Sequence, residues 1–171
     1  MRSSSQQWMA LSGLLFAVAV HAQTAGELEL RNRFDDPFFQ ISNDLADCPE
    51  PLGPRITATE LRAQEHHRVE RGTSCWLAGQ CSRHNSYLYD QDIAKAFKSA
   101  WTQRSPVSQT TLWMTVQARV VYLEGCISAP EQARVLEQFA QGIQDVQLGV
   151  AAVFQPASGT PPYKLWPSAR R

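Results

Sequence analysis

The sequence of 171 residues has no Gly-x-Ser-x-Gly elbow, no glycine-rich phosphate loop and no closely spaced Cys-x-x-Cys pair. These absences count against a strained serine nucleophile, a nucleotide cradle and dithiol redox chemistry. Excess charge is missing too, with 16 basic residues set against 16 acidic ones. A balanced chain is a poor candidate for non-specific nucleic-acid binding or for a strongly basic membrane-surface protein. Past residue 22 no apolar run is long enough to span a bilayer.

The first 22 residues read as an export signal rather than as fold. Arg2 supplies the positive end, Trp8 to Val20 the apolar core, and Val20-His21-Ala22 a small-residue cleavage site. Export without a membrane span is expected, with a mature start near Gln23. No cysteine directly follows the apolar core, so a lipid-anchored product is not expected. Removing Arg2 leaves 15 basic against 16 acidic residues. About 150 mature residues suit one domain with an extension.

All four cysteines, Cys48, Cys75, Cys81 and Cys126, lie in that mature part. An even count in an exported chain favours two disulfides, with three pairings open. The preferred pairing is Cys75 with Cys81, closing a short loop around Ala78-Gly79, and Cys48 with Cys126. The second would tie the N-terminal part to a strand.

Residues 23–56 show no regular period. Three prolines and a glycine in Cys48-Pro-Glu-Pro-Leu-Gly-Pro54 preclude a continuous helix. Phe34, Phe38 and Phe39 read either as anchors laid on another surface or as an exposed docking segment. Thr57-Ala-Thr-Glu60 is a capping box that opens a polar helix from about Ala58 to Arg71, which Gly72 can end. Thr73 to His84 reads as a cysteine-stapled loop or short hairpin, with Trp76 and Leu77 as buried plugs.

From Asp90 the pattern is regular. Asp90 reads as an N-cap, and Ile93, Ala96, Phe97, Ala100 and Trp101 form a helical stripe that Arg104-Ser-Pro106 stops. Thr111 to Val116 alternates as a strand, and so does Arg119 to Ile127, with Val121, Leu123, Gly125 and Ile127 on one face. No Asn-Gly or Asp-Gly marks the turn between them. Ser128-Ala-Pro-Glu131 reads as a second capping box, ahead of a stripe of Leu136, Phe139, Ala140 and Ile143. Val146 to Phe154 reads as a last strand.

Helix, strand, strand, helix, strand is the order of an α/β (α+β) module: a small three-stranded sheet with both helices on one face. The other face would bare Trp113, Tyr122 and Cys126 to water, which is unfavourable for so small a sheet. The expectation that follows is a cover formed by residues 34–84 and fastened through Cys126.

The helix Asp92-Ile-Ala-Lys-Ala-Phe97, the run Val121-Tyr-Leu-Glu-Gly125, Ile127-Ser128 and the stretch from Glu131 to Asp145-Val146 resemble the BON-domain family of bacterial envelope proteins. The resemblance covers about residues 89–155. It implies an α/β sandwich, a periplasmic or outer-membrane setting, and a non-enzymatic role in binding phospholipid or envelope components. The family often has two modules in tandem, whereas one is clear here. A chain organised in this way has a signal peptide at 1–22, a disulfide-containing extension at 23–88, a BON-like domain at 89–155 and a flexible tail at 156–171. The expected location is periplasmic, peripheral to the outer membrane at most.

No catalytic residue, cofactor-binding residue or metal ligand is expected. His67, Cys75, Cys81 and His84 have the chemistry of a zinc site, but not the spacing of a finger, and export favours disulfides instead. Lys95, Lys98 and Arg104, with Lys164 and Trp166 and Arg170-Arg171 in the tail, are candidates for contact with phosphate headgroups, since indole suits a membrane interface. The partner is then membrane phospholipid or an envelope protein, and not nucleic acid. A periplasmic scaffold subunit without lipid affinity is the alternative.

Overall fold

The computed structural model describes residues 28–167, an α+β fold. The expected signal peptide and Arg170-Arg171 lie outside the described residues. A four-stranded mixed sheet carries the fold in the order β2 (Phe38–Asn43), β4 (Thr110–Gln117), β5 (Val120–Ile127), β6 (Leu148–Phe154). A two-stranded ribbon joins β1 (Arg31–Asn32) to β3 (Arg55–Ile56). The helices are α1 (Ala58–Glu70), the short α2 (Thr73–Leu77), α3 (Asp90–Gln103) and α4 (Gln132–Gln141).

The sheet has one strand more than the three expected. Phe38–Asn43 pairs antiparallel with β4, placing Phe39 opposite Met114 and Phe38 opposite Thr115. Phe39 and Ile41 pack on the core, and the register shifts between Gln40 and Ser42, leaving Ile41 as the unpaired residue of a bulge. The extension therefore lengthens the sheet rather than only lying across it.

β4 and β5 form an antiparallel hairpin; β5 and β6 run parallel, joined by the crossover helix α4. The apolar stripes predicted for α3 and α4 share one sheet face. Ile93, Phe97, Leu136 and Ala140 are buried there against Leu112, Met114, Val116, Val121 and Leu123. Phe97 and Phe139 meet edge to face at 5.2 Å. Two glycines permit this closeness. A Cβ on Gly125, whose φ is +141°, would fall on the Thr111 carbonyl oxygen. A Cβ on Gly149 would lie 2.7 Å from the Glu137 carbonyl, so α4 could not seat on β6.

The helix ends are partly as expected. Thr57 and Glu60 form the capping box, and Gly72 is left-handed at φ 94°. At the second helix the reach back is made by Gln132, not Glu131. Its Oε1 accepts the amides of Ser128 and Ala129 at 3.0 Å each. Asp90 does not cap its own helix either. It is the first residue of α3, and its carboxylate accepts the amides of Ala118 and Arg119 in the β4–β5 turn. Both turn residues have positive φ, 52° and 69°, which gives the hairpin its tight connection without any Asn-Gly pair.

Trp76 and Leu77 are corrected from buried plugs to surface residues, 47% and 72% exposed. The five-residue α2 is too short to turn both toward a core, and the staple fixes only its cysteine. The part of the expected tail that runs through Tyr163 and Trp166 is docked. Leu52 donates its amide to the Lys164 carbonyl at 2.7 Å, and Trp166 donates to that of Glu50 at 2.9 Å.

Candidate functional site

Both preferred disulfides are present, Cys48–Cys126 and Cys75–Cys81, with Cα atoms 5.9 and 5.4 Å apart. No thiol is left free. Zinc at His67 and His84 would lack both sulfur ligands, and no cluster of metal-binding residues occurs among the described residues.

The residues considered for headgroup contact do not share a surface. Lys95 and Lys98 are exposed on α3, on the helical side of the sheet. Lys95 lies 4.0 Å from Asp92, and the Lys98 ammonium sits 5.5 Å above the Phe39 ring. Arg104 follows the end of α3 and helps line a shallow cavity beside Phe139. Lys164 and Trp166 are on the opposite side, held by the Glu50–Leu52 segment. The Trp166 ring is also occupied, with the Arg55 guanidinium 4.2 Å over it and 4.8 Å over Phe38. A flat bilayer could not meet both groups at once.

Two other constellations form where the extension meets the module. At the turn end of the hairpin, Arg68 of α1 lies between the Phe34 and Tyr87 rings, 3.9 and 3.7 Å from their centroids. It donates two hydrogen bonds to the nearly buried Asp36, which also accepts from Gln117 at 2.6 Å. Beside this sandwich is a groove of about 600 Å³, lined by Phe34, Val69, His84, Tyr87 and Leu88 among others. Val69 and Leu88 are 73% and 46% exposed on its flank. No sequence signal joins Phe34, Arg68 and Tyr87, because three separate segments supply them.

On the outer sheet face, Thr115, Tyr122 and Glu124 project from β4 and β5. Gln117, Gly53 and Lys164 complete a cavity of about 430 Å³. The register sets Thr115 opposite Tyr122 and Trp113 opposite Glu124, so Thr115 and Glu124 are diagonal neighbours. Burial raises the Glu124 carboxyl to about 7. Tyr163 rises to about 12, first through burial and then through the Glu124 charge. Its hydroxyl donates to the Pro49 carbonyl at 2.9 Å, and its ring packs on Phe154. Alternation along Arg119 to Ile127 already placed Glu124 on this face; the cavity around it depends on residues distant in sequence.

Among the described residues no helix is long and apolar enough to cross a membrane. The two disulfides fit an oxidising, extracytoplasmic compartment. Compared with known proteins the chain finds no match: no family model fits it, and no curated protein or solved structure is similar to it.

Proposed function

We propose that the protein is an exported, non-enzymatic binding module of the BON-like type, and that in the periplasm it holds an envelope protein rather than a lipid headgroup. One observation carries this reading: Val69 and Leu88 are exposed beside a groove walled by Phe34 and Tyr87. Apolar and aromatic side chains gathered around a rigid arginine are the composition of a protein-binding patch. The phospholipid reading rests on Lys95 and Lys98, two exposed cations on one helix, with Arg104 at its end, and it stands second because Lys164 and Trp166 face elsewhere. The oxidised protein should co-purify with an envelope protein, lose it on Val69→Glu or Leu88→Glu, and keep it on Lys95→Glu with Lys98→Glu. Flotation with anionic vesicles that is lost in the lysine double variant would reverse the choice.

A further inference from the structure

We infer that the cavity on the outer sheet face is a binding site for a small zwitterion carrying an ammonium and a carboxylate group, of the size of an amino acid or dipeptide. Three separate parts of the chain build it: the extension at Gly53, the hairpin at Thr115, Gln117, Tyr122 and Glu124, and the C-terminal segment at Lys164. Its walls are fixed. Gly53 (φ +59°) lets the backbone lie flat on the Phe38 ring, where a Cβ would come within 2.6 Å. The Cys48–Cys126 bond and the Leu52–Lys164 hydrogen bond hold the two covering segments in place.

Two features of the lining call for a ligand. Thr115 is 4% exposed, and its hydroxyl is the one buried side-chain oxygen or nitrogen without a hydrogen-bond partner among the described residues. A buried hydroxyl left unsatisfied is costly and therefore uncommon. The second feature is charge. Glu124 and Lys164 line the same cavity without forming an ion pair with each other, and Glu124 has no hydrogen bond to a described residue. Opposite charges held apart across a cavity suit a molecule bearing both complementary charges. Its ammonium would meet Glu124 and the Thr115 hydroxyl, and its carboxylate would meet Lys164. Burial already raises the Glu124 carboxyl, so an arriving cation would draw it back to the ionised form and release a proton below pH 7. Tyr122, Tyr163 and Lys164 are the other titratable groups at this wall, and the Lys164 charge also acts on Glu60 of α1. The cavity shares no lining residue with the groove beside Arg68, so this inference stands or falls separately from the proposed function.

The test is calorimetric titration of the intact oxidised protein with L-alanyl-L-alanine, its N-acetyl form and its C-terminal amide. A ligand this small should bind the wild type with a dissociation constant of roughly millimolar order. Either capped form should bind at least about tenfold more weakly, since each removes one charge contact. Glu124→Gln should weaken the dipeptide by a similar factor and abolish proton release at pH 6, with its circular dichroism unchanged. Lys164→Met should remove the preference for the free carboxylate over the amide. Thr115→Val should also weaken binding, although it leaves the fold intact. The inference is overturned if the dipeptide gives no heat with the wild type, if the acetylated form binds equally well, or if Glu124→Gln binds like the wild type.

Discussion

The carboxylate of Asp90 accepts the backbone amide of Arg119 at 2.8 Å, tying the first turn of α3 to the turn of the β4–β5 hairpin. Its other oxygen takes the Ala118 amide at the same distance. One side chain thus satisfies two donors in a positive-φ turn whose residues do not favour that conformation. Asp90→Ala leaves both amides without an acceptor and should cost about 2–3 kcal/mol. Asp90→Asn should cost less, because one oxygen remains. Urea unfolding of the oxidised protein checks both; equal midpoints for wild type and Asp90→Ala would dismiss the tether.

The buried carboxyl groups make stability depend on pH in a particular direction. Burial raises Glu124 from 4.5 to about 7 and Asp90 from 3.8 to about 6, against the lowering effect of the two turn amides on Asp90. Folded protein therefore keeps these protons at pH values where the unfolded chain has released them. Their contribution is complete below about pH 4 and is lost as the pH rises to about 7. Glu124→Gln should be more stable than the wild type at pH 8 by about 1–2 kcal/mol, after allowance for partial solvent screening of this side chain. At pH 4 the two should coincide. Denaturant titrations at both pH values decide it, and a constant difference would remove the carboxyl as the cause.

What could be read from the sequence follows from the range of each interaction. The stripes Ile93–Phe97–Trp101 and Leu136–Ala140 and the Thr57–Glu60 box are local patterns of period or spacing, and the structure reproduces them. The outward strand position of Cys126 calls for a partner over that face, and of the three open pairings the preferred one, with Cys48, is the one present. The strand Phe38–Asn43 escaped because it lies at a sheet edge. Of its side chains, Phe39 and Ile41 reach the core and Phe38 is taken by Arg55, so its alternation is brief. Gln132 displaced Glu131 as the capping side chain because α4 starts at Gln132, three residues later than the box implied. The Arg68 sandwich and the Glu124 cavity were illegible for a common reason. Each joins residues from segments whose meeting is decided by tertiary packing, and no local pattern encodes that.

Arg68 makes the second prediction about charge. Its side chain is 11% exposed and that of Asp36 is 4%. Removing one member of a buried pair leaves the other uncompensated, which costs more than the pair itself contributes. Arg68→Met should destabilise by about 3 kcal/mol, softened by the remaining Gln117 bond to Asp36. Arg68→Lys keeps the charge but loses the planar stacking and the paired donors, so it should fall between the two. Thermal unfolding of the three proteins gives the order, and a lysine variant as stable as the wild type would rule out the stacked geometry as a contributor.

The two disulfides should differ in effect because they close loops of different length. Cys48 and Cys126 are 78 residues apart, and Cys75 and Cys81 only 6. On the chain-entropy account the long closure restricts the unfolded state by about 4 kcal/mol and the short one by about 2 kcal/mol. The long one also joins the covering segment to β5 beside Glu124, so its loss should loosen the outer face as well. Replacing Cys48 and Cys126 together by serine should therefore lower the urea midpoint about twice as far as replacing Cys75 and Cys81. Hydrogen exchange should place the added opening at the Leu52 amide, which donates to Lys164, while the β4–β5 amides stay protected. Equal losses from the two double variants, with Leu52 still protected, would mean that the outer cover is held by packing rather than by the Cys48–Cys126 bond.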